Sequence, residues 1–124
     1  MLNLIAIFLG GGIGAVSRFL ITLNLTKIYN VNLPIATFLV NIIGSFAIGF
    51  LYILFMGKTD LTPALKFALT VGFCGGLTTF STFSLELFEM ISHQQFMQAA
   101  IYTLLSVLVC LVMTGIGVYC AKLI

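Results

Sequence analysis

Charge is what this sequence has least of: Lys, Arg, Asp and Glu make up 6% of its 124 residues, where a soluble domain carries about 25%. So few charges cannot clothe a surface in water, which excludes a soluble globule. Acids number three and bases five. The bases are scattered from Arg18 to Lys122, with no run that could follow a phosphate backbone, so nucleic acid is excluded as a partner. Tryptophan is absent, and the one histidine is His93. Cys74, Cys110 and Cys120 lie in apolar stretches without a paired spacing to it, so they read as buried free thiols and not as a zinc site. His93 and the acids form no catalytic constellation, which argues against an enzyme. Gly57, Lys58 and Thr59 imitate the end of a phosphate-binding loop, but Tyr52 stands where that loop requires its first glycine.

What the chain does have is apolar length, with 61% hydrophobic residues. About 20 such residues span a bilayer, and four segments qualify: Leu2 to Thr26, Leu33 to Met56, Thr62 to Ile91, and Phe96 to Cys120. The expected fold is all-α and integral to the membrane, a single domain over residues 1–124. The first segment has no Lys or Arg ahead of it and is interrupted by Gly10, Gly11 and Gly12, so it reads as a retained span and not as a signal peptide. Pro34 suits the first turn of the second helix, Gly57 to Asp60 a turn, and Thr62 with Pro63 an N-cap and N1 pair.

Four spans place both termini on one side of the membrane. Lys58, Lys66 and Lys122 then face Lys27 and Arg18 across it, three bases against two. So small a bias instructs orientation poorly. Both orientations are expected, and two inverted copies would meet as an antiparallel dimer.

The third segment is too long: 30 residues make about 45 Å of helix against a hydrocarbon core of about 30 Å. A break is expected at about residues 75–79, where Gly75 and Gly76 precede Thr78 and Thr79. It would lie roughly 20 Å from Thr62, near the midplane. A broken span leaves carbonyls that can ligate a cation and N–H groups whose dipole favours an anion.

Beyond the break, Thr78 to Ser84 reads TTFSTFS, five hydroxyls and two phenylalanines. Hydroxyls can solvate an anion as it loses water, and Phe80 and Phe83 share a helix face with electropositive ring edges. A hydroxyl-rich packing interface is the alternative. Asn41 lies about 12 Å into the second helix, where its amide needs partners, either one interhelical bond or a polar path. Arg18 either snorkels to the headgroups or concentrates anions at a pore mouth. Glu86 and Glu89 read as helix-end carboxylates, with Glu86 within influence of the hydroxyl track. The pairs Gly10/Gly14, Gly72/Gly76 and Ser45/Gly49 have the spacing of close helix packing.

Three segments, GGGIGAVSR (Gly10 to Arg18), TFLVNIIGSF (Thr37 to Phe46) and GFCGGLTTFSTFS (Gly72 to Ser84), resemble the bacterial dual-topology fluoride channels of the Fluc (CrcB) family. The third is long and specific, and helix 4 carries the weakest signature. The resemblance implies an antiparallel homodimer in the inner membrane that passively exports fluoride through two pores, with a structural sodium ion at its centre. On the matching positions it implies pore roles for Asn41, Phe80, Phe83, Thr82 and Ser84, joined by Tyr102 and Ser106 from helix 4. It places Arg18 at a vestibule, and the carbonyls of Gly75 and Thr78 on sodium. A proton-coupled exporter of the small multidrug type, also of four helices, would need a glutamate in helix 1, and helix 1 has no acid. A non-transporting assembly subunit is the other alternative.

Overall fold

The computed structural model describes residues 1–28, 34–57 and 61–124. The turn residues Lys58, Thr59 and Asp60, and the expected start of the second span at Leu33, lie outside the described residues. The elements are α1 (Leu2–Ile28), α2 (Ile35–Gly57), α3 (Pro63–Phe67), a π-helical stretch (Ala68–Cys74), α4 (Gly75–Leu77), α5 (Phe80–Ser92) and α6 (Phe96–Lys122). No strand occurs among the described residues. Among the described residues, four stretches are long and apolar enough to cross a membrane: Leu2–Lys27, Ile35–Met56, Pro63–Ser92 and Phe96–Lys122.

Local chemistry sets the ends. Thr62 caps α3 by accepting the Leu65 N–H, with Pro63 as the first helical residue, where a missing N–H costs nothing. The turn after α5 is a Schellman closure: Gln95 N–H bonds the Met90 carbonyl at 2.8 Å and Gln94 N–H bonds Ile91 at 3.0 Å. Gln94 occupies the left-handed position with φ 60°, where glycine would be at ease.

Packing divides the bundle into two pairs. α1 lies on the first half of the third span, from α3 through α4, and α2 lies on α6. Lipid supplies no hydrophobic drive between helices, so close backbone approach must hold each pair. A methyl on Gly14 would collide with the Phe73 carbonyl, and one on Gly76 with that of Gly11. In the second pair, Gly49 meets the Thr114 backbone and Gly117 meets Phe46 and Phe50. α2 and α6, separated by one span, run in the same direction.

The third span is interrupted by two extended residues, Thr78 (φ −78°, ψ 156°) and Thr79 (φ −150°, ψ 120°). The break thus falls at the C-terminal end of the expected 75–79 window. Gly75 and Gly76 remain helical, and Gly76 serves the α1 contact instead. β-Branched threonine is at home in extended backbone, so the two residues that open the helix suit the conformation.

The break in the third span as candidate functional site

Two extended residues inside a membrane helix expose backbone groups that lipid cannot satisfy. Side chains from the first two spans satisfy them here. Asn41 of α2 accepts the Thr79 N–H on Oδ1 at 2.8 Å and donates from Nδ2 to the Thr79 carbonyl at 3.2 Å. One amide thus mimics a backbone strand across from Thr79, which is buried. Arg18 of α1 donates to the Thr78 carbonyl at 3.0 Å. The Thr79 hydroxyl caps α5 by accepting the Thr82 N–H at 3.2 Å, and it donates to the Thr82 hydroxyl at 3.0 Å. The α5 N-terminus and its positive dipole end therefore begin at the break.

The break is also where two open cavities meet, since Thr79 lines both. The first, about 440 Å³, includes Asn41, Thr78, Phe80, Phe83 and Ser106 in its wall. The second, about 400 Å³, includes Arg18, Thr37, Thr82 and Glu86. Phe80 and Phe83 have ring centroids 5.7 Å apart at 40°. Their environments differ: Phe80 is 79% exposed while Phe83 is 7% exposed and lies 5.1 Å from the Tyr102 ring. Ser106 is 8% exposed, and its hydroxyl has no hydrogen-bond partner among the described residues.

Asn41, Phe80, Phe83 and Ser106 are thus brought together at the first cavity, and Arg18 and Thr82 at the second. Tyr102 is not in either wall. Its hydroxyl donates to Glu86 Oε2 at 2.8 Å, and its ring borders a third, apolar pocket with Phe38. Ser84 bonds back to the Phe80 carbonyl at 2.9 Å and is exposed, apart from both cavities.

Glu86 differs from the helix-end carboxylate expected from the sequence. It takes hydrogen bonds from Tyr102 and, at 2.6 Å, from the Thr37 hydroxyl, while Glu89 is exposed. Thr79 is expected from the sequence only as part of the break, and Thr37 and the Glu86 partnership are missed. A signal for them existed: Thr70, Cys74, Thr78, Thr82 and Glu86 recur every fourth residue, as do Thr37, Asn41 and Ser45, and Tyr102, Ser106, Cys110 and Thr114. Three such stripes on neighbouring helices define one polar seam.

A central cation can be tested against the carbonyls present. Thr79 N–H, the helical donor to Gly75, is diverted to Asn41, and Gly75 is exposed, so its carbonyl is a fitting ligand. Thr78 fits with one lone pair, the other side of its carbonyl being held by Arg18. Two carbonyls from one chain, four from two, fall short of the six or so oxygens that a hard cation takes.

An all-helical chain of four spans, with a side-chain-stabilised break where two cavities meet, defines the class: a multi-pass membrane protein with an interrupted span. Over residues 5–118 it matches the family described as CrcB-like protein, Camphor Resistance (CrcB). A relative from Serratia proteamaculans (strain 568), named fluoride-specific ion channel FluC, is 44% identical over 112 residues, covering 90% of this chain and 87% of that protein. Relatives of the same name from Hahella chejuensis (strain KCTC 2396) and Geobacter metallireducens are 38% and 39% identical over 122 residues, covering 98% of this chain and 96% and 98% of theirs. The chain belongs to the CrcB-like family.

Proposed function

We propose that the chain is a fluoride-selective channel of the inner membrane, not an enzyme, which passively exports cytoplasmic fluoride and so relieves its toxicity. The observation that carries this reading is the break, where hydroxyls, a side-chain amide and two aromatic rings converge beside the buried Ser106 hydroxyl, which has no hydrogen-bond partner among the described residues. A small anion must exchange its water for donors of this kind, and the relatives at 38–44% identity bear the name of fluoride-specific channels. Arg18 concentrates anions at the second cavity. Thr82 and Ser106 donate hydroxyls, and Phe80 and Phe83 present ring edges. Asn41 contributes its second Nδ2 hydrogen, which the Thr79 contact leaves available. Ser84 and Tyr102 stand at the margin of the path, Tyr102 acting through Glu86. The membrane potential, about 2.3 kcal/mol per charge per 100 mV, drives the anion out of a negative-inside cell.

The channel works as an antiparallel homodimer. Supporting this are the even distribution of bases and the exposure of Phe80 and Gly75 on a single chain. A second, inverted copy would bring a matching pair of Gly75 and Thr78 carbonyls, and the four together would hold a structural sodium ion. Such an ion would satisfy carbonyl oxygens that the break leaves without donors and that lipid cannot satisfy. Purified protein in liposomes tests the reading: fluoride leaves and chloride stays. Equal release of both ions, or of neither, overturns it.

A further inference from the structure

The permeation reading leaves both thiols of the first cavity unused. Cys74, buried on the π-helical stretch, and Cys110, half-buried on α6, both line its wall. They stand at one level. α2 and α6 run in parallel with Gly49 against Thr114, which puts Cys110, one turn before Thr114, beside Ser45, one turn before Gly49. From the other side, the Cys74 carbonyl lies 4.0 Å from where a Cβ on Gly44 would be. Gly44 and Ser45 line the same cavity. One turn earlier along α6, the buried Ser106 hydroxyl is without a partner among the described residues.

We infer that Cys74 and Cys110 form a two-thiol binding site for a soft, thiophilic d10 cation of the Ag⁺, Cu⁺ or Hg²⁺ kind, and that its occupancy blocks the channel. Thiolates select soft metals. No group of three or more His, Cys, Asp or Glu converges among the described residues, so a four-coordinate zinc or iron centre has too few ligands. Two thiols in the wall of one cavity suit a cation that prefers two-coordinate linear geometry. Binding Hg²⁺ forms two S–Hg bonds and releases two thiol protons to water, with no change of oxidation state. Ser106 is placed to give a weak third contact through its oxygen. The bound ion adds positive charge and fills the first cavity beside Phe83 and Asn41, where a passing anion would bind it and stop. The block rests on the fluoride-channel reading, whereas the binding does not.

The test uses the full chain with Cys120→Ala, a position outside the cavity, and Hg²⁺ as the probe. Intact-mass measurement and thiol titration in detergent are expected to show one Hg²⁺ per chain and two thiols lost together. Fluoride efflux from liposomes should fall at least tenfold with Hg²⁺ and recover with excess dithiothreitol. Cys110→Ala, read against its own untreated rate, should lose most of the block, and its remaining thiol should bind Hg²⁺ at least tenfold more weakly. Independent reaction of the two thiols with two Hg²⁺ overturns the site. So does a block that persists undiminished in Cys110→Ala. Paired loss of thiols without a block leaves the site standing and overturns its place in the path. Absence of fluoride efflux before Hg²⁺ is added counts against the channel reading alone.

Discussion

Replacing Asn41 separates holding the break together from serving the anion. Asn41→Ala removes both bonds to Thr79 and leaves a buried N–H and a buried carbonyl unpaired. Each orphaned group costs about 1–3 kcal/mol, so the variant should lose about 2–6 kcal/mol unless water enters the gap. Asn41→Asp keeps the acceptor for the Thr79 N–H, and a charged acceptor strengthens that bond. It loses the donor and sets a carboxylate oxygen facing the Thr79 carbonyl, so its net loss should be smaller, about 1–3 kcal/mol. The stability order expected is therefore Asn, then Asp, then Ala, read from unfolding midpoints in detergent. Efflux follows a different order. On the channel reading the Asp charge would stand in the anion's path, so fluoride efflux by Asn41→Asp should fall by at least tenfold while the protein stays folded. An Ala variant as stable as the parent would refute the clasp, and an Asp variant with undiminished efflux would remove Asn41 from the path.

Phe80→Ile and Phe83→Ile should both sharply reduce efflux. Only Phe83→Ile should also lower stability, by about 0.5–1.5 kcal/mol for the lost Tyr102 contact; equal unfolding midpoints for the two variants would contradict this. Gly14→Ala places a methyl against the Phe73 carbonyl, a backbone atom that cannot step aside. It should cost about 1–3 kcal/mol, measured by the same unfolding assay, whereas Gly12→Ala, with open space around it, should cost far less. Gln94→Gly relieves a left-handed residue in the α5 closure and should stabilise the protein by about 0.5–1 kcal/mol without altering efflux.

The fold class was legible because membrane insertion demands long apolar runs, and few arrangements of four such runs fit the chain. Excess length in the third span also announced a break, but its position was harder to read. Gly75 and Gly76 look like helix breakers until their neighbours are known, and Gly76 proves to be spent on the close approach of α1. Thr78 and Thr79 open the helix because Arg18 and Asn41, distant in sequence, take up their freed backbone groups. That compensation is tertiary and leaves no local trace. Arg18 likewise divides two readings, snorkelling and pore mouth, and the structure adds a third contact, the Thr78 carbonyl. From sequence, Glu86 looks like any helix-end carboxylate, which water usually solvates. Its donors, Thr37 and Tyr102, come from two other helices, and only the fourfold spacing of polar residues hinted at them.

The central claim is that the break conducts fluoride passively, and the reversal potential tests it most directly. With purified protein in a planar bilayer and a tenfold fluoride gradient, chloride being equal on both sides, the current should reverse about 59 mV from zero, at the fluoride equilibrium potential. Reversal at zero under that gradient, or movement of the reversal potential with chloride or proton gradients instead, would contradict the account.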